Sequence, residues 1–205
     1  MAGHRLLPVA QDRSTARGAP ERHGAPVRFT ACSVGGAWVI DPKPSLDERG
    51  RFMRAWCARE FADQGIDFRP VQANMGFSIH KGTVRGMHFQ THPADEAKLV
   101  RCTRGAIFDV LVDLRRASPT YGNWYGAILS ADNGRMLYVP AHCAHGYQTL
   151  EDSSEMLYHA SAFYAPEAVR GLRFDDPSVG VLWPLLPCAV SEQDLNWPLL
   201  GSEQG

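Results

Sequence analysis

The stretch that decides the fold covers residues 98–114, KLVRCTRGAIFDVLVDL. It contains two short apolar segments, 98–104 and 106–114, with Arg104 and Gly105 at the turn between them. Short runs that are rich in Val, Ile and Leu and are closed by a glycine are typical of β-strands. The stretch therefore predicts two strands joined by a tight turn.

Two acidic residues of the second segment, Asp109 and Asp113, lie on one face of the predicted strand, because side chains alternate along a strand. Ile107 and Leu111 share that face, so the face is not purely polar. A carboxylate that points into a barrel needs a partner to offset the cost of its burial. The partners of these acids are either structural or catalytic, and the residues alone leave both open.

Segments of the same kind recur along the chain at intervals of roughly ten residues, and Gly, Pro or Asn closes most of them. The further segments are 28–40, 69–78, 83–90, 124–129, 136–139, 146–150, 155–160 and 172–174. Many short strands without alternating helices indicate a sandwich or a barrel. We predict an all-β fold, a double-sheet jelly-roll barrel that leaves a cavity between its sheets.

Two segments depart from the strand pattern. Residues 52–63 have apolar side chains spaced as on one face of a short N-terminal helix, which is expected to end near Gly65. The part of the chain after Asp175 carries four further prolines and is predicted to be a loop-rich C-terminal tail with one short turn.

The composition excludes several classes of protein. The 205 residues are 44% hydrophobic and 21% charged, and the formal net charge is −1. There is no basic excess of the kind that binds nucleic acid, and no apolar run approaches the ~20 residues of a membrane helix. Five scattered cysteines without a CxxC pair indicate a cytoplasmic location and no disulfide framework.

The chain is expected to contain one folded domain, at residues 28–200. Residues 1–27 carry several arginines, prolines and glycines and little periodicity, and they lack the apolar core of a signal peptide. We interpret them as a disordered leader or as an arm that docks on a partner subunit.

The residues that carry chemistry cluster at 81–101, where Arg85, His88 and Lys98 lie close together in sequence. A histidine titrates near neutral pH and suits a general base, and a cation can stabilise an enolate. Tyr158 could then deliver a proton. Such a set suits proton abstraction beside a carbonyl group, although solvated polar residues around a turn would show the same spacing.

A metal site is the main chemical alternative. Cupins with a metal usually present an HxH pair, a glutamate and a distant histidine, but here the second histidine is missing from His88-Phe89-Gln90. A site with two histidines and one carboxylate could still be built from His88, His145 and Glu96. This alternative would make the protein a metal-dependent cupin isomerase or oxygenase.

The motifs resemble those of the dTDP-4-dehydrorhamnose 3,5-epimerase family. TVRGMHFQ matches the RGxHxQ motif, and the other matching segments follow in the family's order over residues 38–194. These segments are KLVRCTRGAIFDVLVDLR, SPTYGNW, LYVPAHCAHGYQTLED, MLYHASAFYAPE and FDDPSVGVLWP. The resemblance implies a jelly-roll cupin without metal or other cofactor, a homodimer that shares strands or arms, and a nucleotide-sugar substrate. Family members invert one or two carbons beside the 4-keto group of a nucleotide-linked 4-keto-6-deoxyhexose.

The resemblance also implies catalytic roles, residue by residue. His88 is the base, and Asp194 of VSEQD is the carboxylate that polarises it. Tyr158 of MLYH is the proton donor, and Lys98 of KLVR lies near the sugar's oxyanion or the phosphates.

The implied substrate-binding residues lie in other motifs. Arg49 of DERG contacts the pyrophosphate, Gln72 and Asn74 lie near the nucleotide, and Tyr164 of FYAP stacks on the base. Arg85 and His145 line the same pocket.

Three departures from the family pattern lie in the parts expected to bind the nucleotide. Arg54 stands where the family has an acid, and Pro44-Ser45-Leu46 stands where it often has an aromatic residue. The interval from Gln72 to His88 is also one residue longer than usual. We therefore expect intact epimerase chemistry with an altered nucleotide or sugar specificity. A sugar-nucleotide binding module without catalysis is a third alternative, although it would not need a base and an acid together.

Overall fold

The computed structural model describes residues 27–201, so the predicted leader at 1–27 lies outside the described residues except for Val27. The described chain forms thirteen strands and two α-helices. The strands are β1 (Arg28–Ala31), β2 (Trp38–Asp41), β3 (Ser45–Asp47), β4 (Gly50–Phe52), β5 (Gln72–Ser78), β6 (Val84–Gln90), β7 (Lys98–Arg104), β8 (Ala106–Asp113), β9 (Trp124–Ser130), β10 (Met136–Val139), β11 (Cys143–Thr149), β12 (Ser154–Ala160) and β13 (Val169–Gly171). The helices are α1 (Ala58–Asp63) and α2 (Glu192–Leu195).

Two antiparallel sheets form the barrel. Six strands follow the order β1-β2-β10-β7-β12-β5, and five follow the order β13-β6-β11-β8-β9. The predicted all-β double-sheet jelly roll is therefore confirmed. Strands β7 and β8 of the opening stretch belong to different sheets, so the turn between them carries the chain across the barrel. Gly105 makes this turn with φ +69°, and a Cβ there would lie 2.6 Å from Ser154 Oγ.

The space between the sheets is filled by buried apolar side chains from both of them. Val100 and Leu137 come from the six-stranded sheet, and Ile107, Leu111 and Leu129 come from the five-stranded sheet. Each is almost completely buried, and burial of one such side chain stabilises the fold by roughly 1.5–3 kcal/mol. This core fills one part of the barrel and leaves the other part for a cavity.

Both sheets are also covered on their outer faces. Phe61 of α1 packs against Phe68 and Tyr138 outside the six-stranded sheet. On the other side, Phe174 and Trp183 of the C-terminal part pack over the five-stranded sheet. Covering both faces explains why the second segment of the opening stretch is apolar at nearly every position.

Several predicted boundaries differ from the structure. The helix predicted at 52–63 is only α1, because residues 50–52 pair with β3 in a hairpin. The strand predicted at 172–174 lies three residues earlier, at β13. Its residues pair with β6, and the last pair joins Gly171 to His88. The strand predicted at 146–150 begins earlier, at β11, and so it includes His145. The predicted tail is mostly without regular structure, and α2 is its short helical turn.

Asp113 ends β8 and holds the turn that follows it. Its side chain is fully buried and accepts hydrogen bonds from the Arg115 guanidinium at 2.8 Å and from the hydroxyls of Ser118 and Thr120, each at 2.6 Å. Burial raises the pKa of Asp113, but these hydrogen bonds outweigh it and hold that pKa well below its usual value. The Asp113 carboxylate is therefore a structural acid.

An Asp113→Asn variant is expected to lose about 1–3 kcal/mol of unfolding free energy at pH 7, because an amide cannot accept all of these hydrogen bonds. Since the folded-state pKa is lowered, the wild-type advantage is fully present above the unfolded pKa of about 4 and is lost progressively as the pH falls from there through the lowered folded-state pKa. Urea denaturation of both proteins at pH 7 and pH 3 measures this, and the advantage is expected to be smaller at pH 3. The exposed Asp132→Asn is the control, and an equal loss in both variants would contradict the structural role.

No helix within residues 27–201 is long and apolar enough to cross a membrane. All five cysteines fall in this range, and each has a free thiol.

Candidate active site

One cavity of about 750 Å³ opens between the two sheets and collects most of the predicted site residues. Those that line it are Asn74, Arg85, His88, Lys98, His145, Tyr158, Tyr164 and Asp194. The remaining two, Arg49 and Gln72, do not line it. Since these residues come from five strands, a loop and the tail, the barrel is what brings them together.

His88 and Asp194 form a close pair at one side of the cavity. His88 Nε2 lies 2.6 Å from Asp194 Oδ1, although the two residues are 106 positions apart in sequence. The His88 side chain is 39% exposed, whereas that of Asp194 is only 5% exposed. The histidine therefore faces the cavity, and the carboxylate orients it from behind.

Asp194 is held in place by four groups. Its Oδ2 accepts a hydrogen bond from the Gly86 backbone N–H at 3.2 Å, and its Oδ1 accepts one from Trp197 Nε1 at 3.2 Å. Its own N–H donates to Ser191 Oγ, the N-cap of α2. Burial raises the Asp194 pKa, but the bonds from His88 and Gly86 outweigh it and lower that pKa. Asp194 therefore stays ionised at neutral pH.

Trp197 ties the tail to the barrel. It packs on β13 at Gly171, where a Cβ would lie 2.1 Å from the indole ring. Its ring also makes an edge contact with His88, with 6.1 Å between the ring centroids. A glycine at position 171 is thus required for the tryptophan to reach Asp194.

Lys98 occupies the space between the two sheets. Its Nζ is 3.2 Å from Glu96 Oε2, 3.4 Å from the His88 carbonyl oxygen and 5.7 Å from the centre of the Tyr158 ring. The Lys98 and Glu96 side chains are each only 8% exposed. A buried ammonium in this position can act on negative charge that develops between His88 and Tyr158.

Tyr158 faces His88 from the opposite sheet. It lies on β12 in the six-stranded sheet, whereas His88 lies on β6 in the five-stranded sheet. Burial and then the negative charge of Glu96 raise the Tyr158 pKa. The phenol is therefore kept protonated at neutral pH and can serve as a proton donor.

A second histidine–carboxylate pair lies beside the first. His145 pairs directly with His88 across β11 and β6, and its Nε2 is 2.8 Å from Asp109 Oδ1. Asp109 is fully buried, and burial raises its pKa against the opposing effect of His145. The partner of the inward acid predicted in the opening stretch is thus His145, which lines the cavity while Asp109 lies behind it.

The outer part of the cavity is organised by Gln72. Its amide oxygen accepts the Tyr164 backbone N–H at 3.1 Å, and its amide nitrogen donates to Asn74 Oδ1 at 3.1 Å. Gln72 therefore positions two lining residues without lining the cavity itself. Arg85 is held by Ser78 Oγ and by the Phe77 carbonyl oxygen, each at 3.2 Å.

Arg49 lies at the tip of the exposed β3–β4 hairpin, where its guanidinium binds Asp47. Its side chain is 83% exposed, and it does not line the cavity of its own chain. Within one chain, the structure therefore does not bring Arg49 to the other predicted site residues.

A comparison with protein-family models shows which family has this combination of fold and motifs. The model described as dTDP-4-dehydrorhamnose 3,5-epimerase matches residues 31–202. The chain belongs to this epimerase family. It is accordingly an isomerase of the epimerase class.

Relatives named as dTDP-4-dehydrorhamnose 3,5-epimerases cover nearly the same region. The dTDP-4-dehydrorhamnose 3,5-epimerase of Sinorhizobium fredii is 44% identical over 84% of this chain and 89% of its own length. That of Methanothermobacter thermautotrophicus is 42% identical over 84% and 94%. The crystal structure of the Bacillus anthracis enzyme, with TDP and pyrophosphate bound, superposes with a TM-score of 0.82 at 35% identity. It covers 85% of this chain and 99% of its own chain.

The epimerase has no set of three or more His, Cys, Asp or Glu side chains within residues 27–201 that could hold a metal ion. The set considered from sequence, His88, His145 and Glu96, is divided among other partners. His88 binds Asp194, His145 binds Asp109, and Glu96 binds Lys98.

Sequence reasoning missed several residues of this epimerase site. Glu96 was considered only as a metal ligand, and Trp197 and Gly171 were not singled out. Trp197 follows Asp194 by three residues, which is one helical turn, and this spacing was the available signal. Tyr147 also lines the cavity, and its only sequence signal was its place two residues after His145 on a strand.

Proposed function

We propose that this epimerase inverts C3 and C5 of a dTDP-linked 4-keto-6-deoxyhexose of the dTDP-4-keto-6-deoxyglucose type. The observation that carries the proposal is the placement of His88 and Tyr158 on opposite sheets across one cavity. Inversion of a carbon needs a base on one face and an acid on the other. The names of the relatives, which are 3,5-epimerases, support the same substrate.

In the proposed reaction, His88 removes the proton from the carbon beside the 4-keto group. The C–H electron pair forms a double bond between that carbon and C4, and the carbonyl electrons move to O4, which gives an enolate. The Lys98 ammonium stabilises the charge on that oxygen. Tyr158 then protonates the carbon from the opposite face as the electrons on O4 re-form the carbonyl group. The phenolate regains a proton from solvent, and the protonated His88 releases its proton to solvent. Asp194 fixes the ring of His88 and stabilises its protonated form.

All four groups of this mechanism are side chains of the protein, so we propose that the reaction uses no metal and no other cofactor. We also propose a cytoplasmic location, because odd and scattered cysteines are typical of proteins in a reducing compartment.

We propose that the epimerase is a homodimer in which one subunit's β3–β4 hairpin reaches the partner's cavity. Support comes from the exposed apolar side chains of the hairpin, Leu46 and Phe52, and of β5, Met75 and Phe77. Strand β5 is also the edge of its sheet and offers an unpaired side. This arrangement would give Arg49 the pyrophosphate contact that it lacks within one chain. Light scattering would then give twice the 22.6 kDa of one chain.

The departures at Ser45 and Arg54 lie in or beside this hairpin, so we propose that they alter nucleotide or sugar specificity. Within the chain, Arg54 binds Glu60 at 2.6 Å. Binding of dTDP-, UDP-, CDP- and GDP-linked sugars, measured side by side, tests the proposal. A clear preference for the thymidine nucleotide would contradict the proposed change of specificity and would leave the proposed epimerase function unaffected.

The test of the proposed function is incubation with dTDP-4-keto-6-deoxyglucose in D2O, followed by mass spectrometry and proton NMR. Deuterium at both C3 and C5 is expected, together with a changed ring configuration. Deuterium at C3 alone would instead fit the 3-epimerase of Streptomyces niveus, which is 37% identical over 85% of this chain. A folded protein that exchanges neither position would contradict the proposed substrate.

A further inference from the structure

Tyr147 on β11 carries a buried hydroxyl that the mechanism does not use. The residue is 3% exposed, and its side chain points between the sheets and lines the same cavity. Among the described residues, Tyr147 Oη has no hydrogen-bond partner. Leaving a buried hydroxyl unsatisfied costs about 1–3 kcal/mol, so such a group indicates a missing partner.

The groups around this hydroxyl are polar, but none of the described ones forms a hydrogen bond with it. Burial raises the Tyr147 pKa, while a polar contact from the Ser78 hydroxyl and the charge of Arg85 lower it, so such a contact would fall on the phenolic oxygen and leave the O–H without an acceptor. The Ser78 hydroxyl, however, accepts a hydrogen bond from Arg85 Nε, and it does not meet hydrogen-bond geometry with Tyr147. Tyr147 and Tyr158 pack in the same cluster and line the same cavity, so the hydroxyl belongs to the part of the cavity near the proposed proton donor.

Gly76 makes room for this hydroxyl. It lies on β5 in the opposite sheet and also lines the cavity. A Cβ at position 76 would lie 3.2 Å from Tyr147 Oη, so a side chain there would crowd the phenol. The Tyr147 side chain therefore extends across the barrel and places its hydroxyl beside the backbone of β5.

We propose that Tyr147 Oη hydrogen-bonds the C2 hydroxyl of the hexose and selects sugars that retain this hydroxyl. The assignment rests on the proposed function and on the chemistry of its substrate. C1 carries the nucleotide, C4 is the ketone and C6 is a methyl group, while C3 and C5 change configuration. The C2 hydroxyl is therefore the one ring hydroxyl on a carbon that does not react, and a fixed donor can hold it throughout both inversions.

The consequence is discrimination against 2-deoxy sugars. A site that hydrogen-bonds a substrate hydroxyl rejects the analogue that lacks it, because the protein group is then left unpaired in a dry pocket. The wild-type enzyme is expected to prefer the hydroxylated sugar over its 2-deoxy counterpart by at least about tenfold in kcat/KM.

The test compares wild type and Tyr147→Phe on dTDP-4-keto-6-deoxyglucose and on its 2-deoxy counterpart. On the hydroxylated sugar, the variant is expected to lose roughly 3- to 10-fold in kcat/KM, mainly through KM. On the 2-deoxy sugar it is expected to lose nothing. Tyr138→Phe, a buried tyrosine outside the cavity, is the matched control for folding and should change neither value.

An equal loss on both sugars, or no loss on either, would overturn the inference while leaving the epimerase function intact. Inactivity of the wild-type protein toward both sugars would overturn the proposed substrate itself, and the inference with it. Thermal unfolding of the Tyr147→Phe variant separates a binding effect from a folding defect, and the sugar-dependent difference persists only in the first case.

Discussion

Replacing His88 with alanine is expected to reduce deuterium exchange and inversion together by roughly 10³-fold, because both begin with proton removal by this base. Substrate binding is expected to remain within a fewfold of wild type, since the pocket keeps its cations and most of its walls. The Asp194 carboxylate stays hydrogen-bonded to Gly86 and Trp197 in the variant, so the fold around it persists. Exchange in D2O by NMR and dTDP-sugar binding by calorimetry measure the two effects.

The matched control is His80→Ala, which removes an exposed histidine that does not line the cavity. It is expected to behave as wild type in both experiments. Substantial residual exchange in His88→Ala, at more than about a tenth of the wild-type rate, would point to another base. His145, which pairs with His88 across the sheet, would then be the residue to replace next.

Replacing Tyr158 with phenylalanine is expected to separate exchange from inversion. His88 can still remove the proton and return a deuteron to the same face, so deuterium enters the sugar with its configuration retained. Inversion needs a donor on the opposite face, and it is expected to fall by about 10²–10⁴-fold. Time courses of deuterium content and of ring configuration, recorded in the same NMR experiment, distinguish the two processes.

Tyr121→Phe is the control for this experiment, because Tyr121 is partly exposed and lies outside the cavity. A parallel loss of exchange and inversion in Tyr158→Phe would mean that the phenol assists proton removal as well. Inversion at the wild-type rate would show that the proton comes from elsewhere, with solvent as the remaining source.

The architecture could be predicted from sequence because strand patterning and turn residues agree along most of the chain. The two segments of residues 98–114 became strands at the predicted positions, and the acid expected inside the barrel is there as Asp109. The failures are at boundaries, where pairing overrides local pattern. Phe52 fits a helical face, but its backbone pairs with Ser45 in a hairpin. The periodicity of the local sequence gives no information about that strand pairing.

The candidate site could be predicted only where a motif marks it. His88 and Tyr158 stand in segments that resemble those of the family, whereas Tyr147 and Trp197 owe their place in the site to packing. The contact of Trp197 with Gly171, for example, joins residues from a strand and a tail. Such contacts depend on how the tail folds back over the sheet, and a single sequence carries no direct sign of that path.

The position of Asp194 in the tail links catalysis to a segment that follows the last described strand of the barrel. The thirteen strands end at Gly171, so the ribosome releases every strand of the barrel before it releases the carboxylate that orients His88. A product truncated shortly before α2 would retain the barrel strands and the cavity's cations but would lack the pair that removes the proton. Activity therefore reports that the segment beyond the strands has folded onto the barrel, and cleavage between Gly171 and Asp194 would inactivate the enzyme without removing a described strand.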